Sequence, residues 1–142
     1  MANEIALVAA EIGVIDPLKS KIKTFIAGAT ITKGQAVALA ADKFVDPADA
    51  SADDLLAQGW VGTALNGGAV GQAIDVAEDA EMEGFTVSSL TAGDWIYLSD
   101  TAGAYSTVTG TIKVFCGKVV PMADGTLVAR IQAPYNRLWA AA

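Results

Sequence analysis

The sequence holds no histidine and one cysteine, Cys116, among 142 residues. The missing histidine removes Ser-His-Asp and Cys-His catalysis, and with them imidazole metal sites. A single thiol closes no disulfide within the chain and fits a reducing site of synthesis. Charged residues are scarce at 18%, and cations are scarcer: 9 Lys+Arg face 16 Asp+Glu, for a net charge of −7. Such a chain suits nucleic acid poorly, because phosphates demand cationic neutralisation. No apolar run reaches the roughly 18–20 residues that span a bilayer, so no membrane partner is expected. The opening Met1-Ala2-Asn3-Glu4 lacks the basic region of a secretory leader.

What is plentiful is small and apolar. Apolar residues make up 53% of the chain, with 28 Ala and 14 Gly. The length fits one domain, and patterned apolar segments argue against disorder. Three zones follow: an N-terminal arm over 1–20, a β-domain over 21–133 and a short tail over 134–142.

The arm carries Ile5, Leu7, Val8, Ile12, Val14 and Ile15, at neither helical nor strand spacing. Asp16-Pro17 breaks it, since proline turns its predecessor away from helix. Lys19, Lys21 and Lys23 follow, a third of the nine cations. Two readings stand open: a segment packed on its own domain, or an arm docking on a neighbouring subunit. On the second, these nine residues form the docking set.

The middle zone reads as short strands parted by Gly, Asp and Asn, the grammar of a small barrel or sandwich. Candidate strands include 22–26, 35–40, 43–45, 60–65, 72–76, 81–87, 94–98, 104–108, 112–120 and 126–131. One short helix is expected, with Ser51 as N-cap, Asp53 and Asp54 in its first turn and Gly59 as its stop.

An internal repeat is visible. Ile31-Thr32-Lys33-Gly34-Gln35-Ala36-Val37-Ala38-Leu39 matches Leu90-Thr91-Ala92-Gly93-Asp94-Trp95-Ile96-Tyr97-Leu98 at an offset of 90 − 31 = 59. Trp60 to Leu65 matches Phe115 to Val120 at 55, and Gly71 to Ile74 matches Gly125 to Val128 at 54. The pattern suggests two copies of one β unit, roughly 22–77 and 85–131, stacked as a pseudo-symmetric barrel that hides its edges.

Chemistry-bearing candidates read as structure. Strand alternation puts Asp79, Glu81 and Glu83 on one solvated face, with Ala80 and Met82 behind, and the spacing fits no calcium loop. Asn66-Gly67-Gly68-Ala69-Val70-Gly71 lacks the lysine and following helix of a phosphate loop. Cys116, between Phe115 and Gly117 in an apolar run, reads as a buried thiol. No catalytic residue, cofactor or metal site is expected. Trp60, Trp95 and Tyr97, in candidate strands, read as core or as contacts between subunits, and Tyr135, Leu138 and Trp139 join them as subunit-contact candidates because large apolar groups near a chain end need cover.

The stretch Thr24 to Val37 resembles a family of tailed-phage head decoration, or capsid cement, proteins. So do Gly62 to Gln72, Tyr97 to Gly103 and the opening Met1 to Ala10. The resemblance implies a small, β-tulip-like homotrimer on the outer surface of an expanded icosahedral head, similar in role to the lambda head decoration protein. It would be made in the host cytoplasm and clamp neighbouring major capsid protein subunits at three-fold or quasi-three-fold axes. The family brings no catalytic residues. Two other readings are weighed beside it: another virion β-module such as a tail-tube, fibre or baseplate component, and a carbohydrate-binding or small enzymatic β-barrel using Trp60, Trp95 and the acidic strand.

Overall fold

The computed structural model describes residues 4–51, 56–57 and 59–133. The protein is mainly β, with an antiparallel sheet curled into a barrel-like fold. Among the described residues ten strands build it: β1 (Gly13–Val14), β2 (Lys21–Ile26), β3 (Ala36–Leu39), β4 (Val45–Pro47), β5 (Trp60–Ala64), β6 (Ala73–Glu83), β7 (Trp95–Leu98), β8 (Tyr105–Ser106), β9 (Phe115–Pro121) and β10 (Leu127–Gln132). The sheet order is β4-β3-β5-β6-β10-β9-β7-β8, with β1 and β2 paired to β6. Leu56 and Ala57 are helical and Gly59 lies in a turn after them; the first turn expected at Asp53 and Asp54 lies outside the described residues.

That order reads the same from both ends once β3, β4, β5 and β6 are matched to β7, β8, β9 and β10. The registers match as well. Val37 pairs Gly62, and a bulge after Val37 lets Ala38 face Trp60. Ile96 pairs Gly117, and a bulge after Ile96 lets Tyr97 face Phe115. The turns agree in detail. Thr32 N–H donates to Gln35 Oε1 at 2.9 Å, and Thr91 N–H donates to Asp94 Oδ2 at 2.9 Å. Gly34 N–H reaches Ala64 O at 2.9 Å, and Gly93 N–H reaches Val119 O at 2.7 Å.

Two glycines explain why the registers coincide. A Cβ at Gly62 would collide with the carbonyl oxygen of Ala77, and one at Gly117 with that of Arg130. Each bulged strand therefore lies against its neighbour's backbone at a point only glycine tolerates.

β6 serves both copies. Its first half pairs β5 and β2, and its second half pairs β10 and β1. Two strands expected over 72–76 and 81–87 are therefore one. The acidic stretch between them stays extended because alternation sends Asp79, Glu81 and Glu83 outward, leaving Ala80 and Met82 buried. Gly84, at φ 98°, ends the strand.

The interior holds a smaller and a larger cluster, and the larger also takes Ala36, Ala38 and Ala48 from the first copy. Val37, Val61, Ala64, Ile74 and Val76 fill the first copy. Their counterparts Ile96, Cys116, Val119 and Ala129 join a larger core with Trp60, Met82, Leu98 and Tyr105. Each fully buried aliphatic contributes about 1.5–3 kcal/mol relative to exposure.

Candidate functional site

The N-terminal segment lies on its own chain. Ile5 N–H donates to Tyr105 O at 2.9 Å and Val8 N–H to Gly84 O at 2.8 Å, so residues 4–8 bridge β8 to the end of β6. Ile5 and Ile12 are buried in the larger core, at 7% and 5% exposure. Leu7 and Val14 pack against that core, half-buried. Ile15 is half-buried and Val8 is exposed. This corrects the expectation of an arm free to reach a neighbour. The first copy closes its curl with a direct bridge between Ala27 and Val45, whereas the second uses residues 4–8. Burial of Ile5 and Ile12 here outweighs projecting them into water.

Asp16-Pro17 forms a tight turn. Asp16 Oδ1 accepts from Leu18 N–H at 3.1 Å, and proline occupies the first position of a short 3-10 helix, where no donor is needed. Leu18 stands 97% exposed at its tip. Lys19, Lys21 and Lys23 are exposed beside it. β2 is exposed along both faces, with only Phe25 half-covered. Ile22 and Ile26 are therefore exposed apolar side chains on a strand that, among the described residues, pairs β6 alone.

An open cleft of about 530 Å³ lies beside this edge, lined by Ile15, Asp16, Lys19, Ser20, Glu81, Met122 and Arg130. Arg130 is engaged there, 3.2 Å from Asp79 and 4.0 Å from Glu81. The carboxylates in this region thus balance an arginine. Among the described residues no group of three or more Cys, Asp and Glu is placed to hold a metal ion.

A second exposed surface sits on β7 and β9. The rings of Trp95 and Tyr97 each lie 5.2 Å from that of Phe115, between centroids. Lys118 Nζ sits 4.3 Å from the Trp95 ring centre, and Lys113 Nζ 5.2 Å from that of Phe115. Trp95 is 46% exposed and Phe115 40%; Tyr97 is half-buried.

Trp60 belongs elsewhere and is corrected as a subunit contact. It is fully buried, and its Nε1–H donates to Tyr105 Oη at 3.2 Å. Its size and its burial against the second copy's tyrosine make it a core residue. Tyr135, Leu138 and Trp139 lie outside the described residues. Leu18, Phe44 and Val108 were missed as exposed apolar groups. For Phe44 the available signal was its place in the same turn as Asp42 and Lys43.

Burial pushes the Cys116 thiol well above its ordinary range, which disfavours the reactive thiolate. Burial, with Cys116 nearby, also raises the Tyr105 phenol. Glu4 is held below the usual carboxylate range by the Thr101 hydroxyl, which donates to it at 2.6 Å.

No protein-family model matches the chain, and no curated protein matches it either.

Proposed function

We propose that this chain is a structural virion protein: a head decoration protein that binds the outer surface of an expanded icosahedral head as a trimer and ties together neighbouring major capsid protein subunits. The observation that carries the reading is β2, a six-residue strand exposed on both faces. Such a strand presents backbone donors and acceptors that a second sheet can pair with. Its apolar Ile22 and Ile26 give the contact area, and Lys19, Lys21 and Lys23 suit an acidic capsid patch. The resemblance of Thr24 to Val37 to capsid cement proteins supports the same reading.

The physics of the role is linkage. A clamp that binds only the assembled, expanded state stabilises that state as occupancy rises. Three weak contacts on one trimer act together through avidity. The net charge of −7 keeps free copies apart and soluble before they dock.

Purified protein mixed with expanded, undecorated heads tests the reading. Co-sedimentation with the heads, and a higher temperature for their disruption, is the expected result. Heads that neither retain the protein nor gain stability would overturn it.

A further inference from the structure

Beside the cleft at Ile15 and Arg130 lies a second hollow of about 460 Å³, with Ile15, Met122, Ala123 and Val128 along it and Glu83 and Asp124 at its rim. The two hollows share Ile15 and Met122, so they form one groove. It runs over the outward face of β6 and β10, where Glu81 pairs Arg130 in register. The turn at 15–20 walls one side. The β9–β10 turn walls the other, closed by Met122 N–H donating to Thr126 O at 2.7 Å.

The floor is apolar and the rim acidic. Val128 is buried, and Ile15 and Met122 are half-buried. Three of the four carboxylates along the groove are engaged. Asp16 Oδ1 accepts from Leu18 N–H at 3.1 Å, Asp124 Oδ1 accepts from Thr126 N–H at 2.9 Å, and Glu81 lies 4.0 Å from Arg130. Glu83 is exposed and has no charged partner among the described residues.

Residues 134–142, which lie outside the described residues, have the complementary composition. They carry Tyr135, Leu138 and Trp139 beside one cation, Arg137, and no acidic side chain. Aromatic groups and arginine are the side chains that anchor protein interfaces most often.

Where β10 ends decides whose groove they meet. Ala133 N–H donates to Glu78 O, so the chain leaves level with Glu78. Glu83 lies five residues further along β6, about 17 Å away, and β10 is running in the opposite direction. Arg137 is four residues beyond Ala133, a span of at most about 14 Å when fully extended, and reversing direction would use part of it. The groove of another chain is met without that reversal.

We infer that residues 135–139 of a second copy of this chain dock in this groove, with Arg137 at Glu83 and with Leu138 and Trp139 over Ile15, Met122 and Val128. The contact joins two different patches, so it is heterologous and closes into a ring or extends. Closure at three copies rests on the decoration reading; the contact itself does not.

Full-length charge-swap variants test it, read by mass photometry and sedimentation, with thermal melting as a check on folding. The wild-type chain is expected as a multiple of 14.5 kDa. Glu83→Arg alone and Arg137→Glu alone are each expected as single chains. Both changes in one chain restore the ion pair with its sign reversed, and assembly is expected to return; a merely structural role for either residue gives no such rescue. A synthetic peptide of residues 134–142, added to the Arg137→Glu chain, is expected to shift the methyl NMR signals of Ile15, Met122 and Val128. Its affinity for the Glu83→Arg chain is expected to be at least about tenfold weaker. A monomeric wild type, single variants that keep the wild-type mass, a double variant that stays monomeric, or a peptide that leaves those methyl signals unmoved each overturns the inference. A monomeric wild type whose Ile15 and Met122 signals move when 134–142 is deleted makes the chain's own segment the occupant and overturns it too. Head binding is measured separately, so failure of this contact and failure of the decoration reading are distinct results.

Discussion

The phenol of Tyr105 lies 2.6 Å from Thr63 Oγ1, joining the two copies of the repeat through a buried hydrogen bond. Trp60 donates to the same oxygen, and its ring meets that of Tyr105 edge-on with centroids 6.1 Å apart. Three residues from β5 and β8 thus form one polar knot inside an apolar core.

Tyr105→Phe removes the shared oxygen and leaves Trp60 Nε1–H and the Thr63 hydroxyl without it. Each buried group left unsatisfied costs about 1–3 kcal/mol. With two such groups the expected loss is about 2–6 kcal/mol, read as a lower midpoint in chemical denaturation with an unchanged slope. A loss below about 0.5 kcal/mol would show that the knot contributes little.

Gly62→Ala and Gly117→Ala place a methyl group against a facing carbonyl oxygen. The strands must separate, and each variant is expected to lose about 3 kcal/mol or more. Gly13→Ala is the control, since nothing lies within 4 Å of an added Cβ there. Equal stability of all three would contradict the close approach.

Ile5→Ala is expected to destabilise the isolated chain by about 2–5 kcal/mol, as large-to-small changes in a core do. Val8→Ala, at an exposed site, is expected to fall within ±0.5 kcal/mol. If Ile5→Ala melts with the wild type, residues 4–8 do not close the second copy.

The pH dependence follows from the two raised acids. Cys116 and Tyr105 both hold folded pKa values above their ordinary 9.0 and 10.0. Their neutral forms are the folded ones, so their contribution is whole below about pH 9 and falls as pH rises further. Melting temperature is expected to hold steady from pH 7 to 8.5 and to drop above pH 9–10. Cys116→Ala is expected to flatten the first part of that drop. An unchanged alkaline profile in Cys116→Ala would exclude the thiol as its source.

Much of the fold was legible because strand alternation and turn glycines are local signals. The matches of Gly34 to Gly93 and of Trp60 to Phe115 were readable from spacing alone, and they lead straight to the register of β3–β5 and β7–β9. The second copy was expected to open at 85; the structure opens it within β6, because one strand serves both copies. The fate of the N-terminal segment was not legible. Ile5 and Ile12 show no periodicity, and their burial is set by a gap beside β8 that only the folded chain reveals. Trp60 and Trp95 look alike in sequence. Trp60 is core because Tyr105 of β8 packs on its ring and accepts its N–H, whereas Trp95 is 46% exposed.

Reversing Lys19, Lys21 and Lys23 to glutamate tests the proposal that this edge faces a capsid. All three side chains are exposed, so folding is expected to survive. Affinity for heads is expected to fall at least about tenfold, or 1.4 kcal/mol. The wild-type affinity is expected to weaken with salt, and the variant's far less. Binding that ignores both the charge reversal and the salt places the contact elsewhere.

The most direct measurement is a reconstruction of the phage head imaged with and without this protein added. The account predicts three-lobed density on the outer surface at three-fold or quasi-three-fold axes, with β2 against the major capsid protein. Density absent from the head, or found only on the tail, would contradict it.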